Sequence, residues 1–342
     1  MAKVRIGLIG LGNISNFHRA GIRAHSDRAE LSVVCCRTRE QGEKVAEDWG
    51  CGYTPDYRET FAHADAILIA TPHHLHYPMA KDALEAGVKH LFIEKPVTNT
   101  VEECDELIAL ADRTGASVSV GYVLRYVPVV QQMKAIVESG QLGAPVAGLC
   151  RTEHGFEPDE FAAMLTWAKR VDELGGGVLF SHGCHYVDLM IWLLGDCTNA
   201  HVVRNHTLLR EVMEGEDSAF MNMTFASGAV GNYFATWAVR YRELSIDLRV
   251  YCLNGQVVFQ QFEDASTRLF VIDRDGLRDL QPAVPAGATG PTDGFVSEPV
   301  FASQMDAWLR TIETGAEPLT GLREGRKSIA AVLAGYQRAD EA

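Results

Sequence analysis

One residue that could take part in a reaction lies where a buried strand is expected to end. Residues 91–96 read LFIEKP, so three apolar residues precede a carboxylate, an amine and a proline. Ligands of open α/β sheets bind outside the carboxyl ends of such strands. Lys95, with Glu94 beside it, can stabilise negative charge that develops on an oxygen atom. Pro96 limits the backbone and could carry a cis bond. The alternative is an ordinary strand exit with a solvated Lys95.

A second reactive residue is a histidine in an apolar segment. Glycines at 175–177 precede a run that predicts an apolar helix, with Ser181, His185 and Asp188 spaced i, i+4 and i+7. This spacing predicts one polar stripe, and a buried stripe needs polar partners or a wet cleft. His185 can accept a proton, since the ordinary pKa of histidine is about 6.5. The alternative is a histidine satisfied by partners in the core.

The first strand and helix carry a glycine motif. An apolar run at 4–9 is followed by Gly10, Gly12 and Ser15 in the spacing G-x-G-x-x-S, and then by a helical stretch. In the G-x-G-x-x-G pattern the first glycine permits a tight turn and the second lets a pyrophosphate approach the backbone. The third allows helix and strand to pack closely, and serine is small enough for that position. The residues predicted to contact a dinucleotide here are Gly10, Gly12, Asn13 and Ile14.

The end of the second strand indicates which dinucleotide is bound. NAD sites usually have an acidic residue there, which holds the ribose hydroxyls. This chain has instead Cys36, Arg37, Thr38 and Arg39. Two guanidinium groups and a hydroxyl suit a 2′-phosphate, so the sequence favours NADP, with NAD as the alternative. The other interpretation is that Arg37 and Arg39 begin a solvated helix and stack on adenine.

Three histidines follow the next buried strand, in the sequence TPHHLH at 71–76. A metal site is disfavoured, because nearby carboxylates and cysteines do not complete a ligand set at metal-site spacing. We expect a strand-end loop beside the nicotinamide, with one or two imidazoles facing the cofactor. The residues assigned to this loop are Thr71, Pro72, His73 and His76.

The order of elements predicts two architectures. Up to residue 122 apolar strands alternate with helices, which is the pattern of a doubly wound parallel sheet, or Rossmann domain. From about 201 to 272 strand-like segments follow one another, which predicts an antiparallel sheet in an α+β domain. The predicted domains are a dinucleotide-binding domain at 1–122 and a substrate-binding and oligomerisation domain at 123–342. The segments predicted after the sheet are a loop at 282–299 and helices at 301–313 and 322–338.

Composition limits the classes of function. The chain has 342 residues, 47% hydrophobic and 22% charged, which is enough for two folded domains. The net charge of −14 argues against nucleic acid or an anionic membrane as a partner. The sequence has no run of about 18 apolar residues that would predict a membrane span, and its N-terminus enters a strand directly. The eight cysteines form no C-x-x-C pair, so a reducing cytoplasm is the expected location.

Together these motifs resemble the glucose–fructose oxidoreductase, inositol dehydrogenase and MocA (Gfo/Idh/MocA) family. The similarity rests on the glycine motif, the Glu94-Lys95-Pro96 sequence, the glycine run before His185, and the ending at 318–326. Members of this family are dinucleotide-dependent sugar and polyol oxidoreductases. The resemblance implies a Rossmann domain and a C-terminal α/β domain built on an open, mostly antiparallel sheet.

The resemblance also implies roles for individual residues. Lys95 and His185 match the catalytic lysine and histidine of the family, and Glu94 and Lys95 join the residues assigned to the cofactor. Ser181 stands where the family often has an aspartate, and Trp167 is followed by alanine instead of arginine. These departures leave the substrate open. The residues assigned to the substrate are Lys95, Tyr122, Arg125, His154, Trp167, Ser181, His185 and Asp188.

The implied reaction transfers a hydride between a nicotinamide cofactor and a hydroxyl or keto carbon of a sugar, sugar derivative or polyol. His185 would take the hydroxyl proton and Lys95 would stabilise the alkoxide. A second hypothesis is a glycosidase with tightly bound NAD that acts by transient oxidation and elimination. A third is a non-catalytic, dinucleotide-sensing regulator. The presence of both Lys95 and His185 counts against the third.

The antiparallel sheet predicts a homodimer or homotetramer. One face should cover the helices that carry the site, and the other face would otherwise be bare. Alternation along 230–237 places Tyr233 and Trp237 on the same face. We expect these two aromatic residues on the bare face, as part of an interface.

Overall fold

The computed structural model describes residues 2–164, 166–240, 244–283 and 297–340. Contacts divide the chain into two compact units, which are Met1–Val123 with Ser297–Arg326, and Leu124–Val296 with Lys327–Ala342. The chain therefore returns to the first unit near its end, whereas the sequence predicted one boundary after residue 122. Most of the loop predicted at 282–299 lies outside the described residues.

The first unit contains a six-stranded parallel sheet. Its strands are β1 (Val4–Ile9), β2 (Ala29–Cys35), β3 (Gly52–Thr54), β4 (Ala66–Ile69), β5 (His90–Ile93) and β6 (Ser117–Val120). The order is β3-β2-β1-β4-β5-β6, and every neighbouring pair is parallel. In sheets of this order a dinucleotide binds where the strand order reverses, between β1 and β4. The predicted Rossmann architecture is confirmed.

Helices connect these strands. They are α1 (Asn13–Ala24), α2 (Arg39–Trp49), α3 (His76–Glu85) and α4 (Val101–Thr114). The start of α4 shows how local sequence sets a boundary, because Glu103 N donates to Thr100 Oγ1 and Thr100 N donates to the Glu103 carboxylate. The connection after β3 is a 3₁₀ helix, Tyr57–Ala62.

The second unit contains an eight-stranded sheet. Its strands are β7 (Pro145–Glu153), β8 (Cys197–Asn205), β9 (Ser218–Phe225), β10 (Val230–Thr236), β11 (Ser245–Cys252), β12 (Gly255–Gln261), β13 (Thr267–Asp273) and β14 (Gly276–Leu280). The order is β14-β13-β12-β11-β7-β10-β9-β8. The β7–β10 pair is parallel, and the other neighbours are antiparallel. The predicted mostly antiparallel sheet is confirmed.

Further helices lie between these strands and after them in the described part of the chain. In the second unit they are α5 (Pro128–Glu138), α6 (Pro158–Met164), α7 (Val171–Leu174), α8 (Val178–Ser181) and α9 (Cys184–Leu194). The two closing helices are α10 (Glu298–Thr314) and α11 (Leu322–Asp340). Helix α10 packs in the first unit, where Phe301 stacks on Phe17 of α1 at a centroid distance of 5.0 Å.

One face of the eight-stranded sheet is buried and the other is bare. The side of β10 that was predicted to lie on the bare face lies on the buried face instead. Tyr233 and Trp237 are 0% and 5% exposed. The bare face instead carries Val230, Phe220 and Leu149, which are 53%, 48% and 42% exposed. The sequence has aromatic residues on both sides of β10, so alternation alone could not decide which side is covered.

No single helix among the described residues is long and apolar enough to cross a membrane. One bent pair, Val171–Ser181 with Cys184–Leu194, reaches the required length and composition together. Most residues of α9 are buried within the protein.

Candidate active site

The structure brings the residues predicted to hold a dinucleotide to one edge of the parallel sheet. Gly10 follows β1, and its N–H donates to the Cys35 carbonyl at the end of β2 over 2.9 Å. The N–H of Ala70, after β4, donates to the Ile9 carbonyl over 2.8 Å. The N–H of Glu94, after β5, donates to the Ile69 carbonyl over 2.9 Å. These bonds continue the ladder to the point where each strand exits.

The absence of a side chain has a different consequence at each of the two glycines of the motif. Gly10 has a φ of 98°, and a Cβ there would lie 2.3 Å from the Ala70 carbonyl oxygen, so the turn has no room for a side chain. Gly12 is exposed just before α1, and a Cβ there would meet no described protein atom within 4 Å. The backbone at the start of α1 is therefore open to a ligand, which fits a pyrophosphate. Asn13 is exposed and Ile14 half-buried beside it.

Ser15 replaces the third glycine without a steric conflict. It is fully buried, and its hydroxyl donates to the Gly12 carbonyl over 2.6 Å. The buried hydroxyl group therefore has a hydrogen-bond partner within the turn.

The residues after β2 form a polar, exposed loop. Arg37 and Thr38 are exposed, and Arg39 donates to Glu43 one turn along α2 over 2.9 Å. Gln41 donates to the carbonyl of Leu11 over 2.8 Å, which ties the start of α2 to the glycine turn. Arg37 and Arg39 thus belong to the segment that Gln41 ties to the turn predicted to hold the dinucleotide.

The histidine loop after β4 contains two buried histidines. His76 is fully buried, and its ring nitrogens lie 2.8 Å from the Pro96 carbonyl oxygen and 2.9 Å from that of Thr71. Burial lowers the pKa of His76, although both carbonyl groups and Glu94 oppose the shift. His76 therefore contacts the carbonyl groups that follow β4 and β5. His73 is also buried, at 6% exposure, and the described residues contain no group of three or more metal-ligating side chains.

Glu94 and Lys95, the two residues that follow β5, differ in burial. Glu94 is 4% exposed; its Oε1 accepts from His18 Nε2 over 2.7 Å and its Oε2 accepts from Lys95 N over 3.0 Å. Burial alone would raise the pKa of the Glu94 carboxyl, but His18 and Lys95 hold it below its ordinary value. Both carboxylate oxygens thus accept hydrogen bonds from the protein. Lys95 is half-buried, and the Lys95–Pro96 peptide bond is cis.

In the second unit, the segment predicted as a single apolar helix is divided into α8 and α9, and the helical segment Val171–Ser181 is bent by 49° from Cys184–Leu194. Ser181 ends α8, and His185 lies in the first turn of α9. A Cβ at Gly183, between the helices, would lie 2.4 Å from the Leu179 carbonyl oxygen. The bend therefore depends on glycine, and Ser181 and His185 project from two helix ends instead of one stripe. Ser181 is 7% exposed and His185 half-buried.

Arg125 and Asp188, both predicted to bind substrate, bind each other. Arg125 Nε and Nη2 donate to the two carboxylate oxygens of Asp188 over 2.8 and 2.7 Å. The side chains are 5% and 1% exposed, and the guanidinium also lies over the Trp192 ring at 5.3 Å. A bidentate pair of this kind fixes α9 to the segment before α5.

The remaining candidates for the pocket wall are aromatic. His154 lies after β7, with its ring 4.2 Å from that of Phe156, and the Phe156 ring contacts that of Trp237 at 6.2 Å. Trp167 is half-buried between α6 and α7. In the first unit, Tyr122 is fully buried just after β6.

The sequence analysis missed a carboxylate that holds the start of α8. Glu216 is 5% exposed, and its Oε1 accepts from Leu179 N over 3.0 Å and from the Tyr336 hydroxyl over 2.7 Å. Burial raises the pKa of the Glu216 carboxyl, although both hydrogen bonds oppose this. Strand exits and glycine runs are the patterns that mark candidate residues in this sequence, and neither pattern marks a residue that precedes β9.

The sheet order and the glycine turn define a dinucleotide-binding protein of the Rossmann type. The chain belongs to the Gfo/Idh/MocA oxidoreductase family. Residues 4–122 match its NAD-binding Rossmann domain, and residues 130–258 match a C-terminal domain of the same family. This confirms the family that the sequence motifs resembled.

The similarity of this chain to known proteins supports the family assignment. UDP-N-acetylglucosamine 3-dehydrogenase of Acidithiobacillus ferrooxidans is 29% identical, over 97% of this chain and 96% of its own. The NAD(+)-dependent scyllo-inositol 2-dehydrogenase of Bacillus subtilis is 28% identical, over 68% of this chain and 67% of its own. The crystal structure of an oxidoreductase domain protein from Kribbella flavida superposes with a TM-score of 0.89 at 26% identity, covering 100% of this chain and 98% of that one.

Proposed function

We propose that this protein catalyses the dinucleotide-dependent oxidation of a hydroxyl carbon in a sugar, sugar derivative or polyol, or the reverse reduction. The observation that carries the proposal is the placement of Gly10 and Lys95 at the same edge of a parallel sheet of Rossmann order. Such an edge is where dinucleotides bind. The names of two relatives, which specify a sugar nucleotide and an inositol, support the substrate class.

The roles of the residues follow from the chemistry of the reaction. Oxidation removes a hydride from carbon and a proton from its hydroxyl group, and the nicotinamide, when bound, supplies the hydride acceptor. His185 accepts the proton, and the amine of Lys95 stabilises the alkoxide. Ser181, in the position where the family often has an aspartate, forms a hydrogen bond with a substrate hydroxyl. In the reductive direction His185 returns the proton.

We assign Arg125 and Asp188 a positioning role, because each satisfies the other's charge in a buried pair. Removing one partner of such a pair leaves an uncompensated charge, at a cost of about 3–5 kcal/mol. Tyr122, His154 and Trp167 remain proposed residues of the pocket wall.

The proposed cofactor is NADP, with NAD as the alternative. Arg37, Thr38 and Arg39 support NADP, because they replace the acidic residue that would repel a 2′-phosphate. The name of the inositol relative specifies NAD(+), so the preference of this chain needs a direct measurement. The residues proposed to contact the cofactor are Gly10, Gly12, Asn13, Ile14, Arg37, Thr38, Arg39, Thr71, Pro72, His73, His76, Glu94 and Lys95.

The experiment that tests the proposal is a screen of sugars, sugar nucleotides and polyols with NAD and NADP, following absorbance of the reduced cofactor. We expect reduced cofactor to accumulate in proportion to the substrate consumed. Release of an aglycone without net cofactor reduction would instead identify the glycosidase. Dinucleotide binding without turnover of any substrate in either direction would contradict the proposal.

We also propose that the protein self-associates through the bare face of its eight-stranded sheet. Phe220 and Phe234 stack there with ring centroids 4.4 Å apart, beside the exposed Val230 and Leu149. An apolar patch of this kind on an acidic protein favours an interface between two copies.

A further inference from the structure

His18 lies beneath the loop that carries Lys95, although no sequence motif singled it out. Its side chain is 2% exposed, and its ring contacts those of Phe92 and Phe301 edge to face, both at 5.2 Å, with interplanar angles of 71° and 88°. These contacts fix the orientation of the imidazole. In that orientation its Nε2 donates to Glu94 Oε1 over 2.7 Å.

The other oxygen of the same carboxylate holds the backbone of Lys95. Glu94 Oε2 accepts from Lys95 N over 3.0 Å. A Cβ at Gly121 would lie 2.7 Å from Oε2 and 2.8 Å from Cδ, so Gly121 closes the remaining side of the carboxylate. A carboxylate that is 4% exposed needs polar partners, and each of its oxygens has one within the first unit.

The chain on the far side of Lys95 is held as well. The carbonyl oxygen of Pro96 lies 2.8 Å from Nδ1 of the buried His76. The backbone of Lys95 is therefore fixed before and after its Cα, while its side chain is half-buried. Placing a reacting group wrongly by about 1 Å can cost roughly 10²-fold in rate, so such fixation has consequences for turnover.

We propose that His18 is a positioning residue that sets the Lys95 amine through the carboxylate of Glu94. Because His18 belongs to α1, whose first turn is the proposed dinucleotide site, the same contact links that helix to the proposed catalytic lysine. The inference rests on the proposed function and names a further residue of the same site. In this role His18 acts through Glu94 and does not contact the substrate.

The first test compares two substitutions at His18. Glutamine can place an N–H near the position of Nε2, whereas leucine fills the space without a donor. We expect His18→Leu to lower kcat about 10–100-fold with little change in dinucleotide Kd, and His18→Gln to recover most of the loss. Phe17→Leu is the matched control, because Phe17 also packs on Phe301 but has no polar link to Glu94; it should lower the melting temperature without the loss in kcat.

The second test does not depend on activity. An amine-reactive ester labels lysines, and mass spectrometry gives the rate at Lys95 relative to the exposed Lys44. We expect Lys95 to react at least about threefold faster in His18→Leu, because its loop is loosened, and as in wild type in His18→Gln. Should His18→Leu not fold, Gly121→Ala displaces the Glu94 carboxylate without deleting a polar group and should have the same effects.

A folded His18→Leu protein with wild-type kcat and wild-type Lys95 labelling would overturn the inference. The two proposals fail in different ways. If no substrate is turned over but labelling at Lys95 responds to His18, the proposed function is wrong and the positioning role stands.

Discussion

At the scale of single residues, the proposed chemistry depends on Lys95 and His185. General-base catalysis supplies about 10²–10⁴-fold, so His185→Ala should lower turnover by about that factor. Lys95→Ala should lose a similar factor, because an electrostatic donor at a developing alkoxide contributes several kcal/mol. Groups that act on one step are not additive, so the double variant should be little worse than the poorer single variant. Steady-state kinetics on the substrate found in the screen measures all three.

Matched substitutions separate this effect from a general loss of structure. His63 and Lys44 are exposed in the same chain, and alanine at either position should leave kcat unchanged. Cofactor binding by His185→Ala should remain near that of wild type. Near-normal turnover in both single variants would place the chemistry elsewhere and make His185 a core residue.

Cofactor preference is a second prediction at this scale. Arg37 is exposed beside the glycine turn, and a charge-assisted contact with a 2′-phosphate contributes roughly 1.5–3 kcal/mol, or about one to two powers of ten in affinity. We therefore expect NADP to bind more tightly than NAD, and Arg37→Ala to reduce the ratio by about that factor. Titration of the protein with each cofactor, followed by fluorescence, measures the ratio of the two affinities.

Arg274 provides the control for this titration, because it is exposed on the turn between β13 and β14 of the second unit. Arg274→Ala should leave the ratio of NADP to NAD affinity unchanged. Tighter binding of NAD, with a ratio that does not respond to Arg37→Ala, would show that the arginines serve only the start of α2.

At the scale of elements, sequence patterns predicted the parallel strands because each is a short apolar run with a turn after it. They did not predict the bend between α8 and α9, because SHGCHYVDL continues an apolar helical pattern. At the bend, a Cβ on Gly183 would lie 2.4 Å from the Leu179 carbonyl oxygen and 2.9 Å from the Tyr233 ring, and the second of these contacts, with β10, is a tertiary one that a local pattern does not show. The charged strand β14 was also missed, since pairing with β13 and not local propensity makes it a strand.

The same limit applies to the candidate site. The strand-exit rule correctly placed Gly10 and Lys95 at one sheet edge, because it follows from chain direction alone. It could not show that Glu94 and His76 turn inward, or that Asp188 meets Arg125. Those outcomes depend on which polar groups end up buried together, and a single sequence does not encode such pairs as a spacing.

The anchoring of α8 by Glu216 gives a prediction on stability. Because burial raises the pKa of Glu216, the folded state favours its protonated form. The stability contributed by this group is present below its unfolded pKa and is lost as the pH rises through its folded pKa. Glu216→Gln keeps an acceptor for Leu179 and Tyr336 without the charge, so its melting temperature should equal or exceed that of wild type at pH 8. The difference in melting temperature between Glu216→Gln and wild type should become smaller as the pH is lowered towards 5.

Thermal unfolding between pH 5 and pH 8 measures this, with Glu216→Ala as the comparison. Alanine leaves the N–H of Leu179 and the Tyr336 hydroxyl without their acceptor, so it should lower the melting temperature at every pH. If glutamine destabilised the protein at pH 8 as much as alanine does, the charged form of Glu216 would be the one that the fold requires.

At the scale of the whole molecule, the bare face of the eight-stranded sheet gives the last prediction. Phe220 and Val230 stand on adjacent strands, where a large exposed apolar patch is unfavourable for a lone chain. In a symmetric dimer the same patch is used by both copies, so each substitution places a charge in the interface twice. We expect wild type to be a dimer or tetramer at micromolar concentration, and Phe220→Glu with Val230→Glu to shift it towards monomer.

Leu319→Glu, exposed in the first unit, is the control and should leave the mass unchanged. Light scattering coupled to gel filtration measures the mass; a wild-type monomer at tens of micromolar, or a double variant that stays associated, would remove this face as the interface.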